Sequence, residues 1–147
     1  TRTIPVTSFV SGPFQNALAH DEIAVEAVIP APTGVPDGGY LKLERRVGDF
    51  ATAGAAVAVE RSGDRIVRAG IALTGVGSST INAEAAAAAI TGAPLTAASI
   101  EQAAELAAAA AQPRSDHRGS AEYKRHIVHT FVARILRRVM ETTERAA

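Results

Sequence analysis

The sequence predicts an α+β fold in which an antiparallel sheet of three to four strands carries three helices packed on one face. Segments with the two-residue alternation of strands come first along the chain, and segments with the apolar spacing of helices follow them. Because strands and helices do not alternate, the chain lacks the crossovers that parallel strands require, so the sheet should be antiparallel. The 147 residues suffice for one compact domain.

Strand patterns are predicted at residues 22–29, 40–46, 50–61 and 66–76. The first ends at a connection containing Pro30, Pro32 and Pro36, which lack the amide hydrogen that a sheet ladder uses. The second has one mostly apolar face and one polar face, which indicates a half-buried strand. The last two should form an antiparallel hairpin that turns at Gly63.

Helix patterns follow over residues 83–90, from Ser99 to 111, and from Ser120 onward. Asn82, Ser99 and Ser120 are the predicted N-caps, because their side-chain oxygens can accept from free amides of a first helical turn. Apolar residues recur in pairs every four positions along the last helix, so that one stripe should face the sheet. They are Ile127, Val128, Phe131, Val132, Ile135, Leu136, Val139 and Met140.

Composition excludes several classes of function. Fifteen basic residues balance fifteen acidic ones, so no overall field attracts nucleic acid. The chain has no cysteine, which excludes disulfides, thiolate catalysis and an iron–sulfur cluster held by this chain. No segment is predicted to cross a membrane or to act as a signal peptide, and a cytoplasmic location is expected.

Basic side chains are concentrated where the strand at 40–46 turns into the next one. Lys42, Arg45, Arg46 and Asp49 lie at this turn, a common place for groups that meet a ligand. A flavin needs a positive group near its N1/C2=O side, which a lysine and arginines on rigid strands would supply. The alternative interpretation is a solvated strand end.

Two segments resemble the C-terminal domain of the FAD-binding medium subunit of molybdenum hydroxylases of the carbon monoxide dehydrogenase and xanthine dehydrogenase type. They are GGYLKLERRVGDFATAGAAVAV at residues 38–59 and DHRGSAEYKRHIVHTF at residues 116–131. The hairpin, the helices and the RGSAEY motif follow in the family's order. The resemblance implies the fold of the carbon monoxide dehydrogenase flavoprotein C-terminal domain for residues 22–147. It also implies that residues 1–21 are the trailing segment of an upstream FAD-binding domain.

The resemblance also implies a set of cofactor-binding residues. Lys42 would face the flavin, Arg45, Arg46 and Asp49 would belong to a loop that modulates access or potential, and Phe50 is a further cofactor-binding candidate. Ile23 would press on the isoalloxazine ring, although Ala24 departs from the family's EIL segment. At the entry to the last helix, Asp116 should accept from Arg118 or a backbone amide, and Tyr123 should pack under the loop.

The implied function is electron transfer in a heteromeric oxidoreductase. FAD would be shared with an N-terminal FAD-binding domain, while a molybdenum-pterin and 2Fe-2S clusters would belong to a large and a small partner subunit. This chain should hold no catalytic nucleophile and should be inactive by itself. The competing hypothesis is a non-catalytic dimerisation or subunit-docking module without flavin contact.

Two further patterns are more simply explained by structure than by ligand binding. Gly75 and Gly77 stand between a strand and a helix, but Thr80 replaces the third glycine of a dinucleotide fingerprint, so a plain turn is favoured. His126 and His129 lie on one helix, but two histidines do not complete a metal site. No metal site is therefore predicted.

Overall fold

The computed structural model describes residues 1–146 and divides the chain into two units, Thr1–Ala31 and the part that begins at Pro32. The first unit contains helix α1 (Val6–Phe9) and strands β1 (Val10–Gly12) and β2 (Gln15–Asn16), which pair with each other. In this unit Arg2 donates two hydrogen bonds of 2.7 Å to the carboxylate of Glu22.

The strand predicted at residues 22–29 is wrong, because these residues have no regular secondary structure. Their apolar side chains Ile23, Val25, Val28 and Ile29 are all at least 77 % exposed. A strand forms only against a neighbour, and β1 and β2 pair only with each other. The partial alternation of apolar residues in this segment therefore did not indicate a buried strand.

The second unit contains a four-stranded antiparallel sheet in the order β3-β4-β5-β6. Its strands are β3 (Val35–Leu43), β4 (Ala53–Ser62), β5 (Arg65–Thr74) and β6 (Ile81–Asn82). The hairpin of β4 and β5 confirms the prediction, and Gly63 takes a left-handed φ of 62° in its turn. β3 begins and ends earlier than the predicted 40–46, and it includes Pro36, which was assigned to the connecting loop. Because β3 is an edge strand, a proline is tolerated there.

Three helices follow: α2 (Glu84–Ala88), α3 (Ala97–Ala110) and α4 (Ala121–Ala146). Two predicted caps are wrong. Asn82 lies in β6, and Thr96 caps α3 in a capping box in which Ser99 is the third helical residue. Ser120 does cap α4, because its Oγ accepts from the amide of Tyr123 at 3.1 Å.

The helices cover one face of the sheet, which confirms the α+β prediction. The alternate residues Ala53, Ala55, Val57 and Val59 of β4 are buried on that face, whereas Ala58 between them is exposed. The predicted stripe of α4 is buried or half-buried throughout, and Val128, Val132, Leu136 and Val139 are fully buried. α3 contributes Ile100, Ala103, Ala104 and Ala107. Within the described residues 1–146, no helix has both the length and the hydrophobicity needed to cross a bilayer.

Candidate functional site

The chain between β3 and β4, residues 44–52, forms a tight loop that we call the β3–β4 corner. The amide of Asp49 donates to Arg46 O at 3.0 Å, with Gly48 in a left-handed φ of 85°. At the base of the loop, the amide of Thr52 donates to Leu43 O at 2.8 Å. The corner is thus closed by backbone hydrogen bonds at its tip and at its base.

Lys42 is held in place by two contacts at the end of β3. Its Nζ lies 2.5 Å from Glu44 Oε2 and donates to Asp49 O at 3.2 Å. The hydrogen bond with Glu44 is the main cause that raises the pKa of Lys42, so the side chain is a cation at neutral pH. The Lys42 side chain remains 28 % exposed, so one side of it faces solvent. Sequence reasoning missed Glu44, whose position two residues from Lys42 was the available signal.

Beyond Lys42 the corner presents its side chains to solvent. Arg45 and Arg46 are exposed, Val47 is 99 % exposed and Phe50 is 68 % exposed. Two guanidinium groups, an apolar side chain and an aromatic side chain therefore lie on the loop that directly follows the strand carrying Lys42. The structure thus bonds Lys42 of β3 to Asp49 of the corner, bonds the amide of Phe50 to the Asp49 carboxylate, and leaves Arg45 and Arg46 exposed.

Arg118 joins the corner from the turn before α4. Its Nη1 donates to Phe50 O at 3.2 Å, and its Nη2 lies 3.4 Å from Asp49 Oδ1. Asp116 accepts from the backbone amide of Arg118 at 2.9 Å, as one of the two predicted arrangements requires. Its second oxygen binds Lys124 Nζ at 2.8 Å. Sequence reasoning did not assign the Arg118 side chain to the corner, because the two segments are far apart along the chain.

The sequence also singles out Ile23, two histidines, a glycine pair and Tyr123. Ile23 belongs to the N-terminal unit and is 83 % exposed. His129 Nε2 lies 2.9 Å from Glu101 Oε1, and within the part of the chain that the structure describes no cluster of three metal-binding side chains is found.

Residues 75–79 form a bend in which Gly75 has a φ of 75°. Gly75 approaches Ala51 of the corner so closely that a Cβ added to Gly75 would lie 2.6 Å from the Ala51 carbonyl oxygen. The Tyr123 ring lies beside Gly119 and remains 45 % exposed.

Comparisons with known proteins match most of the chain. Residues 39–139 match the model of the CO dehydrogenase flavoprotein C-terminal domain family. The chain is 35 % identical over 135 residues to the carbon monoxide dehydrogenase medium chain of Hydrogenophaga pseudoflava, covering 92 % of this chain and 47 % of that one. It is 32 % identical over 136 residues to the nicotine 6-hydroxylase medium subunit of Paenarthrobacter nicotinovorans, with 92 % and 47 % covered.

Solved structures agree with these matches. A structure of carbon monoxide dehydrogenase from Hydrogenophaga pseudoflava superimposes with a TM-score of 0.86 at 38 % identity, covering 92 % of this chain and 47 % of that one. Quinoline 2-oxidoreductase from Pseudomonas putida 86 gives a TM-score of 0.84 at 28 % identity, with 97 % and 49 % covered. The chain spans about half the length of the relatives it matches.

Proposed function

Because this chain belongs to the CO dehydrogenase flavoprotein C-terminal domain family, we propose that it forms one wall of the flavin site in a multi-subunit oxidoreductase. Relatives that carry this domain are medium chains or medium subunits of such enzymes. The proposed cofactor is FAD, shared with an N-terminal FAD-binding domain that residues 1–21 would continue. The proposed partners are a large subunit with molybdenum-pterin and a small subunit with 2Fe-2S clusters.

The observation that carries this proposal is the tethered ammonium of Lys42. A positive group stabilises a flavin ring that gains negative charge on reduction, provided that the group is fixed in place. Glu44 and Asp49 O fix Lys42 Nζ, while part of the side chain stays exposed. This region therefore offers what a flavin edge requires, namely a held cation at the end of β3 and exposed aromatic and apolar side chains, Phe50 and Val47, on the loop that follows.

Bound FAD would supply the electron transfer between the partner centres and an external acceptor. The residues of this chain would have simpler roles. Lys42 would hold positive charge at the ring edge, Phe50 would exclude water, and Arg45 and Arg46 would attract anionic groups to the loop. Asp49 would keep the loop in shape through its hydrogen bonds. Ile23 is proposed as a ring contact from the resemblance alone.

The test is Lys42→Met in this chain assembled with the FAD-binding part of its subunit. Loss of the ammonium should make the flavin potential more negative, because the reduced ring loses its nearby cation. The matched control is Arg68→Ala on β5, which removes a cation paired with Glu60 at 3.0 Å. An unchanged potential in Lys42→Met, with FAD bound normally, would reject the flavin role.

The docking-module hypothesis gives a different result with the same variants. If the exposed Arg45 and Arg46 are interface charges, replacing Lys42 or the arginines would weaken subunit association and leave flavin colour and reduction unchanged. Size-exclusion chromatography of the assembly, together with its visible spectrum, separates the two outcomes. The isolated chain should bind FAD weakly or not at all, and submicromolar binding in a titration would contradict this expectation.

A further inference from the structure

We propose that Arg118 is a positioning residue that holds the β3–β4 corner in one conformation and thereby sets how freely the loop opens beside the flavin. The flavin part of this statement rests on the proposed function, whereas the control of the loop does not. The inference comes from side-chain contacts between two segments that are 68 or more residues apart in sequence.

Arg118 binds two consecutive residues of the corner at once. One guanidinium nitrogen donates to the backbone carbonyl of Phe50, and the other lies near the carboxylate of Asp49, at 3.2 and 3.4 Å. The planar guanidinium suits such paired acceptors, whereas a lysine ammonium is a point charge without this fork geometry. Because Asp49 O also accepts from Lys42 Nζ, the position of the proposed flavin-facing cation depends on the same residue.

Arg118 is itself fixed to the start of α4. Its amide donates to Asp116 Oδ1, and Asp116 and Gly119 exchange two backbone hydrogen bonds of 3.1 Å. Asp116 Oδ2 binds Lys124 Nζ, and the Lys124 side chain is only 5 % exposed. A buried residue of α4 is therefore connected through Asp116 and Arg118 to the corner. A loop held from a rigid helix start moves less than one closed only by its own backbone.

Arg118→Ala should loosen the corner without unfolding the turn that precedes α4. The substitution removes the guanidinium but keeps the backbone amide that donates to Asp116, so the turn and the start of α4 should remain folded. By contrast, the corner loses two contacts from outside and keeps its internal hydrogen bonds. Its residues 45–48 are exposed, so little packing opposes local opening.

Amide hydrogen exchange of the chain measures this opening directly. In Arg118→Ala the amides of Asp49 and Thr52 should exchange about tenfold faster, and in Arg118→Lys the increase should be smaller. The amide of Tyr123 at the start of α4 should not change. Arg68→Ala, which breaks a comparable arginine–carboxylate pair, should leave the corner unchanged. Corner amides in Arg118→Ala that exchange within about twofold of the parent rate, with α4 protected, would overturn the proposal.

Measurements on the assembled subunit distinguish a failure of the role of Arg118 from a failure of the proposed flavin function. If the corner beside FAD is loosened, added iodide should quench the flavin fluorescence more strongly in Arg118→Ala than in the parent, because the quencher reaches the ring more easily. Faster corner exchange with unchanged quenching of the flavin fluorescence would retain Arg118 as the positioning residue and reject the flavin wall. Unchanged corner exchange would reject the role of Arg118, whatever the flavin does.

Discussion

Replacing Lys124 by methionine should lower the free energy of unfolding by about 2 kcal/mol. The residue is 4 % exposed, and its Nζ lies 2.8 Å from Asp116 Oδ2 and 2.8 Å from Arg114 O. Methionine keeps the apolar stem and removes the charge. Hydrogen bonds to charged groups contribute about 1.5–3 kcal/mol each. The Asp116 side chain is 43 % exposed, so water can replace part of the lost hydrogen bonding. Removing the ammonium also removes the free-energy cost of burying a charge, which offsets a further part of the destabilisation.

Thermal unfolding at neutral pH measures this effect. At about 3 °C per kcal/mol for a chain of this size, the midpoint should fall by about 6 °C. The matched control is Arg125→Met, which changes the next residue of α4, an exposed arginine with one long hydrogen bond of 3.4 Å to Ala111 O. It should shift the free energy by about 0.5 kcal/mol or less.

The pH dependence of the difference checks its cause. The hydrogen bond from Lys124 is the main reason that the pKa of Asp116 lies below its ordinary value of 3.8. A carboxylate whose pKa is lowered on folding stabilises the protein above the unfolded value, and this contribution disappears as pH falls through the folded value. The difference in the free energy of unfolding between the parent and Lys124→Met should therefore become smaller in acid, below about pH 3.8. A variant as stable as the parent at neutral pH would refute the reasoning, because the cost of burying the ammonium would then cancel its bonds.

Three further predictions concern single residues. Gly38→Ala should lower the free energy of unfolding by about 3 kcal/mol or more, because at a φ of 143° the new Cβ would lie 2.1 Å from a carbonyl oxygen of β4. Gly63→Ala, whose new Cβ would meet open space, should lower it by about 1 kcal/mol. Urea unfolding measures both. Thr96→Ala should cost about 1 kcal/mol through loss of the α3 cap, and Asn82→Ala about 0.5 kcal/mol or less; equal losses would contradict the observed cap. The hydrogen bonds from Arg2 lower the pKa of Glu22 to about 2. The stabilisation by this ion pair is therefore complete above pH 4.5 and is lost as pH falls toward 2. A carboxyl NMR titration with a midpoint near 4.5 would exclude that ion pair.

The parts of the fold that follow from local pattern were predictable from the sequence. The stripe of α4 is long and regular, so the face it buries was determined by spacing alone. The hairpin of β4 and β5 combines a turn glycine with two strands adjacent in sequence. By contrast, the segment at 22–29 has strand-like residues but no partner, and pairing depends on the rest of the molecule.

Capping errors have a similar physical origin. Thr96 and Ser99 are both good cap residues three positions apart, and which one begins α3 depends on the backbone angles reached when the helix docks. Asn82 was assigned to a helix because pairing of β6 with β5 involves only two residues on each strand. A strand of two residues leaves almost no periodic signal in the sequence.

The candidate site was predictable as a set of residues but not as a set of contacts. Lys42, Asp49 and Phe50 are neighbours along the chain, so any turn between the strands would bring them near one another. Arg118 reaches the corner only because α4 packs on the sheet and places the preceding turn there. Contacts of this kind depend on tertiary packing, which spacing within one segment does not encode.

The structure separates the three cations that the sequence groups together. Lys42 is compensated by Glu44, and Asp49 by Arg118, so the short-range charges of the corner form two pairs. Across residues 1–146, neither Arg45 nor Arg46 has a carboxylate within ion-pair distance, and both are exposed. Their field extends into solvent and is screened over about 8 Å at physiological salt, whereas the partly buried Lys42 pair is screened less. Added salt should therefore weaken the attraction of anions or acidic partner surfaces to the corner while leaving the proposed effect of Lys42 on a bound flavin largely intact. A flavin potential that shifts strongly with salt in the parent, but not in a variant lacking both arginines, would contradict this reasoning, because the exposed arginines and not Lys42 would then set the potential.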